Sequence, residues 1–192
     1  QKNGCFEFLG FEFRWGRGRR GQPALKHRIL SLTLNDNAPE LSSVAIERIK
    51  NYAGSPPSFA TVTELEAFFR QVYQPFGWLS DAQWRRLTET SVRRLPNGRI
   101  TPHYDPAMAL QLTVHPDDYL IWPHYDALNL PVLLLRGAMS DLVLPETAAE
   151  MHRRGPGGRG LLKHIEVPGC GHAPALNVLQ QLEWVTDFIE SV

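Results

Sequence analysis

The sequence predicts an α/β fold in which a mostly helical insertion separates one strand from the rest of a parallel sheet. Three observations carry this. Two strand-like runs, Val132-Leu-Leu-Leu135 and Leu162-Lys-His-Ile-Glu-Val167, each lead into a glycine-bearing loop, as strands buried in a parallel sheet do. A helical stripe follows each of them, which gives the strand–helix alternation of an α/β plan. A third run, Ile29-Leu-Ser-Leu-Thr-Leu34, stands far upstream, and the residues between carry helix signals.

Taken in order, the first 22 residues stand apart from the rest. Phe6-Glu-Phe-Leu-Gly-Phe-Glu-Phe13 alternates like a strand, but Arg14-Trp-Gly-Arg-Gly-Arg-Arg-Gly21 has no periodicity and no face to bury. The expectation is a disordered or non-native tail. A basic arm for nucleic acid, through Arg14, Arg17, Arg19 and Arg20, is the competing reading. Leu25 to Arg28 reads as the end of a helix, its basic residues placed at the negative pole. The strand 29–34 follows, and Asn35-Asp-Asn-Ala-Pro39 turns out of it. Pro39 is expected to open a helix carrying Leu41, Val44, Ala45, Arg48 and Ile49, with Gly54 just beyond.

Thr63-Glu-Leu-Glu66 and Ser80-Asp-Ala-Gln83 each read as a capping box. The first opens a helix with Leu65, Phe68, Phe69 and Val72 on one stripe, and the second a helix carrying Trp84 and Leu87. Pro96-Asn-Gly98 is a turn before a short extended run, and Asp105-Pro106 resembles an N-cap followed by proline. After the strand at 132–135, a helix is expected over 145–154, with Glu146 early and Arg153 and Arg154 late. The strand at 162–167 comes next. Leu176, Leu179, Leu182, Val185, Phe188, Ile189 and Val192 then give the last helix one apolar face.

Composition narrows the function classes. A chain of 192 residues with zero formal net charge can bury one real core, and the total charge favours neither nucleic acid nor an anionic membrane as partner. No apolar run reaches the roughly 18 residues of a membrane span. The two cysteines, Cys5 and Cys170, lie far apart, and free thiols in a reducing cytoplasm are expected. His103, His115 and His124 with Asp105, Asp117, Asp118 and Asp126 lack metal-ligand spacing, so neither metal nor cofactor is expected. Phe68, Phe69, Trp78, Trp84 and Trp122 read first as core residues, some of which would also wall a pocket.

The chemistry concentrates on two loops. Asp141 closes Pro131-Val-Leu-Leu-Leu-Arg-Gly-Ala-Met-Ser-Asp141, and His172 closes Leu161-Leu-Lys-His-Ile-Glu-Val-Pro-Gly-Cys-Gly-His172. Each polar group sits just past the carboxyl end of a strand, where open α/β sheets place their sites. No Gly-x-Ser-x-Gly elbow occurs, nor the same elbow with Cys or Asp at its centre.

These stretches resemble the carboxyl-terminal part of the α/β-hydrolase fold family. Leu32-Thr-Leu-Asn-Asp-Asn-Ala-Pro39 is similar to the strand leading into the family's cap, and His103-Tyr-Asp-Pro-Ala107 to the stretch that leaves it. Leu133-Leu-Leu-Arg-Gly-Ala-Met-Ser-Asp141 resembles the loop of the triad acid, and Pro168-Gly-Cys-Gly-His-Ala-Pro174 the histidine loop. The resemblance covers 23–192 and implies a partial α/β-hydrolase sheet with a helical cap over about 39–115. It makes Asp141 the acid and His172 the general base, in the family's order of nucleophile, acid, histidine. It also places the nucleophile elbow where the Arg/Gly-rich segment stands, so a shifted frame or a misjoined segment before Pro23 is the explanation expected.

The resulting expectation is a serine-type hydrolase of an ester or related carbonyl-derived bond, acting on a small molecule. Lacking nucleophile and oxyanion donors, this chain alone should be inactive. The alternative is a non-catalytic binding remnant of that fold, whose incomplete sheet would promote self-association.

Overall fold

The computed structural model describes the backbone of residues 5–8, 11–17 and 23–192, and the side chains from residue 29 onward except 116 and 117. Strands β1 (Cys5–Phe8), β2 (Phe11–Arg17) and β3 (Pro23–Ile29) form an antiparallel sheet in that order. Two expectations change here. Arg14 to Arg17 are strand, not tail, and Leu25 to Arg28 are strand, not the end of a helix. The ladder from Phe11↔Ile29 to Arg17↔Pro23 gives these residues backbone partners along their whole length. A four-residue charge pattern has no comparable means of nucleating a helix. Residues 18–22, with Arg19 and Arg20 of the basic arm, lie outside the described residues.

The second sheet begins at β4 (Leu32–Asn35), shorter than the run 29–34 because Ile29 closes β3 instead. The insertion that follows is mostly helical, as expected. Helix α1 (Ser43–Ala53) starts later than Pro39 because the Ser42 hydroxyl accepts from the Ala45 N–H, so Ser42 and not the proline sets the first turn. The capping box of α2 (Val62–Val72) is made by Thr61 and Glu64, two residues earlier than expected. That of α3 (Asp81–Thr90) is made by Ser80 and Gln83, as the sequence indicates. Strands β5 (Val92–Arg94) and β6 (Ile100–Pro102) pair as a hairpin around the Pro96-Asn-Gly98 turn, where Gly98 takes φ +81°. Asp105 caps locally, its Oδ1 accepting from the Ala107 N–H, and α4 (Met108–Val114) follows. This insertion has its own core of Leu65, Phe69, Trp84 and Ile100.

Helix α5 (Trp122–Ala127) leads back to the sheet at β7 (Val132–Gly137). Helices α6 (Pro145–Arg153) and α7 (Gly155–Gly158), strand β8 (Leu162–Val167) and helix α8 (Leu179–Glu190) complete the order. The sheet is parallel, in the order β4-β7-β8. All of β7 is buried, so its alternation divides the core into two layers. Leu134 packs with Trp122, Tyr125, Val143 and Met151 on one face. Leu133 and Leu135 pack with Val167, Cys170 and Phe188 on the other. Among the described residues β4 is paired on one side only. None of the described helices is long and apolar enough to cross a membrane.

Candidate active site

The carboxyl ends of the three parallel strands converge on His172, and one close approach makes this happen. The loop after β8 crosses the end of β7. A Cβ on Gly137 would lie 2.2 Å from the Gly171 carbonyl oxygen and 2.8 Å from that of Cys170, so only glycine lets the loop pass. Three further bonds fix the crossing. The Met139 N–H donates to the Cys170 carbonyl at 2.8 Å, the Gly171 N–H to the Pro75 carbonyl at 2.7 Å, and the Asn35 side-chain amide to the Pro174 carbonyl at 3.0 Å. His172 is thereby carried past β7 to the end of β4.

What it meets there is Asp36. Nδ1 of His172 lies 3.0 Å from Asp36 Oδ2 and 3.1 Å from the Asp36 carbonyl oxygen. Both neighbours are acceptors, so Nδ1 carries the proton and donates to them. In the neutral ring Nε2 is then the basic nitrogen, and it makes no hydrogen bond among the described residues. The imidazole is about one-third exposed, whereas the Asp36 carboxylate is fully buried.

The carboxylate is held from three sides. The Gly137 N–H donates to Oδ1 at 2.9 Å, and the Ser140 hydroxyl donates to Oδ2 at 2.7 Å, the same oxygen that faces His172. Ser140 is itself fixed, because its oxygen accepts from the N–H groups of Leu142 and Val143. Behind it, buried Arg136 donates to the carbonyls of Val143 and Ser140 and pairs with Glu166. Asp36 has φ +49°, a left-handed conformation that Asp tolerates better than most residues.

Asp141, the acid expected from the sequence, is placed otherwise. Its carboxylate makes a two-pronged ion pair with Arg48 of α1, and both side chains are about half exposed. His172 and Asp141 line the same cavity, but the hydrogen bond expected between them is replaced by the one to Asp36. The reason lies in the loop after β8, which passes over Gly137 at the end of β7 and carries the ring on to the end of β4. In the sequence Asn35-Asp-Asn-Ala-Pro39 reads as the turn from a strand into the cap, with no role for Asp36. The missed signal was the one applied to Asp141, an acid directly after a strand.

The cavity has a volume of about 340 Å³ and is walled by α1, the end of α2 and the loops after β7 and β8. A second cavity, of about 350 Å³, touches the other side of His172. No Ser, Thr or Cys is among the described residues lining either one. Burial pushes the phenol of Tyr73 in the first cavity up to about 12 and raises that of Tyr52, where Arg48 pulls the other way. Both are neutral donors near pH 7. Of the aromatic residues singled out, Phe69, Trp84 and Trp122 are core, while Trp78 is exposed. Cys170 is a free, buried thiol that burial makes harder to ionise.

No protein-family model matches the chain. It is 36% identical over 171 residues to the 3-hydroxybutyrate-oligomer hydrolase of Cupriavidus necator, covering 83% of this chain and 55% of that protein. It superposes with a TM-score of 0.71 and 30% identity on an α/β hydrolase of Novosphingobium aromaticivorans, covering 85% of this chain and 57% of that one. With E-2-(acetamidomethylene)succinate hydrolase the TM-score is 0.67 at 23% identity, over 84% and 58% of the two chains. The chain thus spans about half the length of the curated relative, 55% of it.

Proposed function

We propose that this chain, which belongs to the α/β-hydrolase fold family, carries the general base and orienting acid of an ester hydrolase, in the persons of His172 and Asp36. The observation that supports the reading is the Nδ1–Asp36 bond. A buried carboxylate on Nδ1 fixes the tautomer that leaves Nε2 basic, and it stabilises the imidazolium formed when Nε2 takes a proton from a nucleophile. That proton later passes to the leaving alcohol. Asp141 is left outside this relay. The cavity is the acyl site, and its volume suits a short-chain ester. The Cupriavidus relative is named for 3-hydroxybutyrate oligomers, so short hydroxyacyl esters are the substrates to try first.

A triad needs a nucleophile and oxyanion donors as well. Among the described residues the cavity linings supply no hydroxyl or thiol nucleophile of the Ser, Thr or Cys kind, and so the chain by itself is expected to be inactive. Hydrolysis of short p-nitrophenyl esters that disappears in His172→Ala would overturn that expectation. The relay itself is tested by proton NMR. A strongly downfield Nδ1–H resonance of His172 should vanish in Asp36→Asn and persist in Asp141→Asn. The opposite pattern would restore Asp141 as the acid.

A second reading, a binding remnant of the fold, is supported by the one-sided pairing of β4. An apolar groove beside it is lined by Leu32, Leu34, Ala38, Tyr125 and Leu128. It predicts a concentration-dependent mass in sedimentation, lost when Leu34 is replaced by Lys.

A further inference from the structure

The walls of the His172 cavity are not those of a neutral acyl pocket. Arg48 brings a guanidinium into the lining, and Asp141 is the carboxylate that meets it. Tyr52 and Tyr73 add two phenols whose oxygens make no hydrogen bond among the described residues. Like any phenol both are protonated at neutral pH, and burial moves them further from ionising, so each is a donor without an acceptor among the described residues. An arginine fork together with spare hydroxyl donors is the donor set that recognises a carboxylate.

The Arg48–Asp141 pair does not close this site. Both side chains are about half exposed, and an ion pair in that setting is weakly held because water competes for each partner. The bond joins a helix of the insertion to the loop after β7, and breaking it leaves neither group buried without a partner. Another anion can therefore compete with Asp141 for Arg48 at little cost.

We infer that Arg48, helped by Tyr52 and Tyr73, anchors a free carboxylate of the substrate beside His172, and that the ligand class is an ester carrying a terminal carboxylate, as a hydroxyacyl oligomer does. The inference rests on the reading of this cavity as the acyl site. The incoming carboxylate displaces Asp141 from Arg48. An ester with its carboxylate masked finds the guanidinium still occupied and gains nothing from it.

The test is equilibrium binding by the full chain, which needs no turnover. The probes are the linear dimer of 3-hydroxybutyrate as the free acid and the same dimer as its methyl ester, titrated calorimetrically at fixed low salt. The acid should bind at least about tenfold more tightly than the ester, the value of one charge-assisted hydrogen bond. Arg48→Gln should make the two equal. Asp141→Asn should tighten the acid alone, because the competitor for Arg48 loses its charge. Added salt should narrow the gap between the probes. Thermal melts of both variants check that the fold persists, as expected for exposed positions.

Equal binding of acid and ester in the unaltered chain, or a preference that survives Arg48→Gln, overturns the anchor while leaving the cavity as an acyl site. Failure of both probes to bind removes the acyl-site reading, and the anchor falls with it. A tighter acid in Arg48→Gln would also overturn it, assigning the carboxylate to the phenols or to His172 instead.

Discussion

Asp36 and Asp141 carry the same sequence signal, an acid placed just past a strand of one parallel sheet, and they end in opposite surroundings. Asp36 is fully buried and accepts from a backbone N–H, a serine hydroxyl and an imidazole. Asp141 is half exposed, and among the described residues it meets the equally exposed guanidinium of Arg48. A carboxylate that is to orient a histidine has to be held itself, and Asp36 is held by burial and by donors other than the histidine on both of its oxygens. The difference shows that position after a strand nominates a carboxylate for pairing with a histidine, while the path of the histidine loop and the surrounding hydrogen bonds decide which nominee meets it.

The comparison breaks most easily at the carboxylates themselves. Asp36→Ala would strand the Ser140 hydroxyl and the Gly137 N–H in the core and cost about 3 kcal/mol. Asp141→Ala removes an exposed pair and should cost no more than about 1 kcal/mol. Urea midpoints measured on the two variants would show it. Equal losses would mean that Asp36 is not held as described.

This contrast also marks what was legible in the sequence. The runs at 132–135 and 162–167 are both strands, the first extended to Gly137 and the second with the expected ends, because a short strand-like run closed by a glycine-bearing loop is a local signal. His172 was found for the same reason. Its partner was not, since nothing local states that β7 lies between β4 and β8, or that Gly137 is a glycine so that another loop can pass over it. The helical insertion was read correctly as helix, yet α1 starts at Ser43 and the α2 box at Thr61, because caps compete and the winner depends on the approach of the chain. Leu25 to Arg28 misled most. Its charge order fits a helix end, but antiparallel pairing with β2, the strand just before it in sequence, makes it a strand.

A smaller effect sharpens the account of how Asp36 is held. Ser140→Ala removes the donor to Oδ2 and the acceptor for two N–H groups, at about 2 kcal/mol. If Ser140 orients the acid, the His172 Nδ1–H resonance should also shift or broaden in this variant. Loss of stability with an unchanged resonance would reduce Ser140 to a loop staple.

The smallest effect separates the two histidines near β8. His164 lies within the strand, away from the dyad. Burial lowers its pKa below the ordinary range, and His152 and Arg136 push the same way against the pull of Glu166. Its Nε2 is 3.2 Å from Glu166 Oε1 without a geometrically good hydrogen bond, and burial outweighs the pull of that carboxylate. The unfolded chain therefore takes up this proton first. As pH falls below the unfolded value of about 6.5, the unfolded state binds more protons than the folded one and stability declines. The decline ends once pH is below the lowered folded value. His164→Gln should flatten the stability profile across that window. The slope belonging to His164 should remain in Asp36→Asn, because that substitution alters the surroundings of His172 and not those of His164. A slope that vanished with Asp36 would assign the acid sensitivity to the dyad and not to β8.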